Sequence, residues 1–206
     1  NGGSQDVVLL PKNSTWKYLD DGSDLGSAWR APGFDDSNWA SGPGQFGYNE
    51  GDEATVVSYG GVSGDKHITT YFRTTLEIPG AGAVSDLSLG VLRDDGAILY
   101  LNGTEIARSN MPGGVISHDT AALSNALGAD ERTYHAFEIN PALLVDGTNV
   151  LTAEVHQSKA TSSDLSFDLE LTGSLRTETT VTIVVEPTSQ DADKDGLPDS
   201  WEQSHF

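Results

Sequence analysis

The stretch LSFDLEL, residues 165–171, decides the fold. Leu165, Phe167, Leu169 and Leu171 alternate with Ser166, Asp168 and Glu170, the period of a β-strand with one buried and one wet face. Working outward, NVLTAEVH (149–156) sets Leu151, Ala153 and Val155 on one face, and YHAFEI (134–139) precedes it across a break at Pro141 and Gly147. DLSLGVL (86–92) aligns Leu87, Leu89 and Val91, and ITTYFRTTLEI (68–78) is rich in β-branched and aromatic residues. AILYLNG (97–103) follows the turn signal Asp94-Asp95-Gly96 and ends on a second, Asn102-Gly103, which leads into TEIAR. Together these segments read as an antiparallel meander. No segment of comparable length has a helical period. Short strands between turn clusters, with 23 glycines in 206 residues, predict an all-β protein, an antiparallel β-sandwich of the jelly-roll kind. Arg73 and Arg93, inside apolar strands, are expected to pair with carboxylates on its rim.

The N-terminal third, residues 14–61, has few strands and many loop residues, yet it holds Trp16, Trp29 and Trp39 of the chain's four tryptophans. Aromatic loops on a rigid sandwich either contact a ligand or cover the core's open end. Trp29, Trp39, Tyr48 and Tyr59 are therefore the candidates for stacking on a sugar ring, and equally candidates for capping the core. FDDSNW (34–39) reads as a turn whose acids bond the backbone while Phe34 and Trp39 anchor it. His156 ends a strand and precedes Gln157, Ser162, Ser163 and Asp164, a polar cluster that either lines a pocket or packs with its nitrogens satisfied.

Formal net charge is −20, from 31 acidic and 11 basic residues, a surface that repels phosphate backbones and argues against nucleic-acid binding. It leaves two readings: solubility, or carboxylates converging on calcium. Cysteine is absent, which excludes disulfides, thiolate metal sites and cysteine nucleophiles. No run of 18 apolar residues exists to span a membrane. The segment NGGSQDVV has neither the basic nor the apolar part of a signal peptide, so an export signal is expected to have been removed, or the chain to be a piece of something larger. HExxH and GxSxG motifs are missing, and the histidines at 67, 118, 135, 156 and 205 have no metal-site spacing, so the chain is expected not to be an enzyme.

Composition shifts after Leu171. The β-prone run TVTIVVE and a Pro/Thr/Ser/Gln linker occupy 174–190, separating a sandwich module at 1–173 from a C-terminal unit at 191–206. In that unit Asp191, Asp193 and Asp195 stand at positions 1, 3 and 5 of a loop, with Gly196 at 6, Leu197 at 7, Asp199 at 9 and Glu202 at 12. This is EF-hand ligand spacing: alternate carboxylates turn inward, Leu197 offers its carbonyl, and Glu202 can bind bidentately. Calcium, a hard cation needing six to eight oxygens, is the cofactor this short EF-hand-like loop implies.

The segment DGLPDSWE resembles the calcium loops of thrombospondin type 3 repeats and dockerin-like segments. The body, from WKYLDDGSDLGSAWRAPGFDDSNW through RDDGAILYLNGTEIARSNMP to SSDLSFDLEL, resembles a galactose-binding-like jelly-roll module of exported multidomain bacterial proteins. The adjacent Asp94 and Asp95 resemble the paired aspartates of PA14-type lectin modules, which implies a calcium there that grips sugar hydroxyls; a plain hairpin turn is the alternative. Taken together, the expectation is a non-catalytic, calcium-stabilised carbohydrate-binding module, secreted or at the cell surface, whose partners are a polysaccharide and the adjacent domains of a parent protein. A structural or adhesive spacer that binds only calcium is the alternative.

Overall fold

Glycine- and asparagine-led turns cut the chain into strands too short to bury much alone, so two sheets must close on each other. The computed structural model describes residues 3–176. In chain order the strands are β1 (Ser4–Leu10), β2 (Thr15–Leu19), β3 (Ala40–Pro43), β4 (Phe46–Tyr48), β5 (Thr55–Val56) and β6 (Thr69–Ile78). They continue as β7 (Val84–Asp94), β8 (Gly96–Leu101), β9 (Thr104–Ser109), β10 (His135–Ile139), β11 (Gly147–His156) and β12 (Leu165–Arg176). One sheet runs β10-β7-β12-β4-β5, with β1 sharing the edge of β12 that β4 also uses; the other runs β3-β2-β6-β11-β8-β9. All pairings are antiparallel except β4 with β5.

From β6 onward the chain passes between sheets at almost every connection, as a jelly roll does, and this corrects the expected meander. Only β8 and β9 form the expected hairpin, with Asn102 and Gly103 both at positive φ in a tight turn. The Asp94-Asp95-Gly96 signal instead marks a corner where β7 leaves one sheet and β8 enters the other. Glycine is required there: a Cβ on Gly96 would lie 2.7 Å from Met111 Sδ and 2.9 Å from both Ala122 Cβ and the Asn110 carbonyl oxygen.

The core lies between the sheets. Trp16, Phe46, Phe72 and Phe167 meet there, with Phe72 and Phe167 centroids 4.3 Å apart and Trp16 edge-on to Phe167 at 5.3 Å. Leu87, Leu89, Val91, Leu151, Val155, Leu169 and Leu171 fill the remainder, as their alternation predicts. The polar residues of LSFDLEL depart from the prediction. Ser166 and Asp168 are buried too, because the β1–β2 turn and Tyr134 fold over that face. Both Asp168 oxygens lie 3.1 Å from the Asn13 amide, and Tyr134 donates to the same carboxylate.

A second apolar cluster, Trp29, Tyr71, Ile98, Tyr100, Met111 and Ala122, covers the outer face of the β6–β11–β8 sheet. Trp29 is carried there by the loop after β2, so the N-terminal third serves as both edge strands and cover. Its FDDSNW turn forms as read: Asp35 accepts from the Ser37 amide, and Phe34 packs at 6.0 Å on Trp39. Arg73 and Arg93 pair with Asp36 and Asp130, at 2.9 and 2.8 Å. Among the described residues no helix is long and apolar enough to cross a membrane. The TVTIVVE run lies outside them; β12 itself continues to Arg176.

Candidate functional site

Register brings one acidic corner together at the end of the sandwich. Asp94, the last residue of β7, stands opposite Ser166 on β12; Leu165 stands opposite Tyr48, and His156 opposite Gly96. The loop from Gln157 to Asp164 therefore closes over the β7–β8 corner. It is fastened from two sides. Asp95, 1% exposed, accepts from the Ala126 amide (2.7 Å), the Ser158 amide (2.8 Å) and Ser162 Oγ (3.0 Å). Lys66, also buried, gives its ammonium to the carbonyls of Ser162 and Ser163 and lies 5.4 and 5.3 Å from the rings of Tyr48 and Tyr59.

The two adjacent aspartates thus have different occupations. Burial opposes ionisation of Asp95, but the bonds from Asp94, Ser158 and Ala126 hold its carboxyl below the usual range. Asp94 is equally buried; no N–H or hydroxyl group donates to its oxygens, and its carboxyl lies in hydrogen-bond contact with those of Asp95 and Asp164. Its neighbours are the carboxyls of Asp95 and Asp164, which only accept when ionised; burial and then these two acids push it up to about 10. Gln157 adds another acceptor. Its Nε2 donates to Tyr48 Oη (2.7 Å) and the Asp164 carbonyl (2.6 Å), which fixes the amide's orientation and leaves the buried Oε1 without a partner. On the solvent side, ligand oxygens of Glu50, Glu131 and Asp164 lie within 4.8 Å of one another.

A second arrangement occupies the outer face of the β6–β11–β8 sheet. Glu154 is buried and fully engaged: Tyr100 Oη donates to it at 2.5 Å, Arg30 bonds it at 3.1 Å, and His156 Nε2 lies 3.4 Å away. Burial opposes its ionisation, but His156, Tyr100 and Arg30 outweigh that and hold it below the usual carboxylate range. Beside it opens a cleft of about 460 Å³ whose lining includes Asp24, Arg30, Glu105, Arg108 and His118. These side chains are mutually paired, Arg108 with Glu105 at 2.8 Å and His118 with Asp24 at 3.3 Å, so donors and acceptors are held in place around open space.

The sugar-stacking candidates are largely withdrawn from solvent. Trp29 has no exposed surface, because it packs at 4.8 Å on Tyr71 and 5.9 Å on Tyr100. Tyr48 is buried with its hydroxyl held by Gln157, and Tyr59 packs half-buried against it at 5.2 Å. Trp39, half-buried, packs on the second cluster and does not share a face with the tyrosines. His156 has no exposed surface; Nδ1 donates to the Thr120 carbonyl at 2.7 Å, which gives it a packing role. Burial takes Trp29 and Tyr48 out of a stacking platform, whereas Trp39 and Tyr59 stay half-buried on separate clusters. Of the calcium candidates, Asp94 and Asp95 meet the acidic corner, whereas Asp191, Asp193, Asp195, Leu197, Asp199 and Glu202 lie outside the described residues. Sequence reasoning missed Glu50, Glu131, Arg30 and Glu154. No local spacing links the first two to Asp164; the only trace was that Gln157 to Asp164 is a dense polar run.

No family model matches this chain, and no curated protein matches it. Solved structures do. Bacteroides uniformis β-glucuronidase 2, bound covalently to cyclophellitol-6-carboxylate aziridine, is 22% identical over 83% of this chain and 18% of its own, with TM-score 0.52. A calcium-binding mutant of that enzyme matches at 20% identity over the same shares, with TM-score 0.51. A glycosyl hydrolase family 2 member from Bacteroides cellulosilyticus matches at 11% identity over 82% of this chain and 20% of its own, also with TM-score 0.51. This chain thus spans about a fifth of the length of those structures, and what it shares with them is the sandwich fold.

Proposed function

We propose that this chain is a non-catalytic carbohydrate-binding module of a secreted multidomain bacterial protein, stabilised by calcium, and that it meets glycan through the polar cleft beside Glu154 and not through an aromatic platform. The observation that carries this reading is the cleft itself. Paired Arg108–Glu105 and His118–Asp24 side chains present fixed donors and acceptors, the chemistry that recognises a polyhydroxylated ligand. The glycoside-hydrolase setting in which this sandwich recurs supports it, as does the small share of those chains that the fold occupies.

Burial of Trp29 and Tyr48 favours a second reading, a calcium-braced spacer between domains. Affinity electrophoresis against a broad set of neutral and acidic polysaccharides, calcium present, separates the two. The module reading expects retardation on at least one gel, abolished by Arg108→Ala. A full set with no mobility shift sinks it and leaves the spacer.

A further inference from the structure

We propose that the cleft beside Glu154 takes an uncharged glycan, whose hydroxyls donate to Glu105 and Asp24, and turns away uronate and sulfated polysaccharides. This deepens the glycan reading and rests on it. The observation that carries it is the order in which the charges are layered. Among the described residues of the lining, Asp24, Glu105 and Glu154 face Arg30, Arg108 and His118, so cations do not outnumber acids even with the imidazole protonated. In two of the pairs the acid is the outer member. Glu105 keeps 40% of its side chain in water against 21% for Arg108, and Asp24 keeps 57% against 30% for His118. Asp119, which meets the other His118 nitrogen at 3.1 Å, is 77% exposed. Here the positive groups lie beneath the negative ones.

The cations are also engaged already. Arg108 gives Nε and Nη2 to the Glu105 carboxylate at 2.9 and 2.8 Å, and Nη1 to the carbonyls of Pro112 and Gly114. The two-pronged fork with which arginine recognises an anionic group is therefore closed on Glu105. Arg30 lies over the Tyr100 ring at 4.3 Å and bonds Glu154, with its Nε buried and without a partner. In that pair the cation is the outer member, 21% exposed against 3%. One matched charge does not offset the exposed acids around it, in a chain of net charge −20. What the cleft offers a ligand is acceptor oxygen. Sugar hydroxyls donate to it, and a carboxylate can take two neighbouring hydroxyls because each of its oxygens has two lone pairs. A uronate or sulfate brings further acceptors and a negative charge against Glu105 and Asp24, and like charges set together reject a partner.

The test compares each neutral polysaccharide that retards the full chain with its own C6-oxidised derivative, the same backbone with primary hydroxyls converted to carboxylates. Affinities of the soluble polymers are measured by calorimetric titration. At low salt the oxidised form is expected to bind about tenfold more weakly or worse. The gap is expected to narrow in about 1 M sodium chloride, where charges are screened beyond about 3 Å. Equal or tighter binding of the oxidised form overturns the proposal. So does a gap that salt leaves unmoved, since it belongs to the lost hydroxyl and not to charge. Glu105→Gln, at an exposed position on β9, removes an outer acid and opens the Arg108 fork. It is expected to weaken the neutral polymer and tighten the oxidised one, a gain that damage to the fold does not produce; discrimination unchanged in this variant overturns the proposal. Retardation on anionic gels alone overturns it and leaves the glycan reading standing, whereas no retardation on any gel sinks both.

Discussion

Two of the carboxylates buried in this sandwich stand under opposite terms. Glu154, on the outer face of one sheet, is met by a guanidinium, a phenol and an imidazole. Asp94, at the corner between sheets, is met by other acids. Burial penalises both charges alike; only the partners differ, and they turn one carboxyl more acidic and the other less. A buried acid with its partners supplied within the chain is architecture. One met by other acids keeps its proton far above the ordinary carboxylate range.

The comparison breaks first at Trp29, which roofs the Glu154 face. Trp29→Ala is expected to cost about 3–5 kcal/mol, seen as a thermal midpoint lowered by about 10 °C or more. A change under 1 kcal/mol would mean that the N-terminal loop is not the cover described. Glu154→Ala comes next. It strands His156 and Arg30, and about 3 kcal/mol is expected by chemical denaturation, the low end for a broken buried pair because Arg30 keeps 21% of its side chain in water. No loss would show that the partners find water instead.

Thermal midpoints against pH, taken in chelator, sharpen the contrast by sign. Glu154 ionises more readily in the fold than its ordinary 4.5, so its contribution is complete above that value and is lost as pH falls through the lower folded one. Asp36 and Asp130 behave the same way below 3.8. For Asp36 burial opposes ionisation and Lys17 and Arg73 overcome it, and for Asp130 the bond from Arg93 leads. Asp94 has the opposite sign. Its folded value, pushed up to about 10, means that metal-free stability falls as pH climbs from about 4 toward 10. Asp94→Asn should remove that alkaline slope and leave the acid limb; a slope that stays belongs to other groups. The smallest effect is expected at Arg132→Ala, under about 1 kcal/mol by denaturant titration, since Arg132 itself is 70% exposed.

The strands from β6 onward were legible because alternation survives wherever one face meets the core. Leu87, Leu89 and Val91 point inward as read. What alternation cannot report is what lies on the other face. Asp168 and Glu154 look wet in sequence and are buried, each by a segment distant along the chain. The short strands β1 to β5 were missed for a related reason: their pairing partners supply most of the signal, and those lie up to 172 residues away, as Ser4 with Arg176 shows. Asp94 and Asp95 were legible as a motif. That Asp94 faces acids while Asp95 holds the loop required tertiary register.

Lys66 has a further consequence. Bonded to the carbonyls of Ser162 and Ser163, it is a fixed cation that holds in place the loop carrying Asp164. Removing that ammonium should perturb amide resonances across residues 157 to 164 and leave the rest of the spectrum where it was, because the loop is pinned from behind by this one side chain.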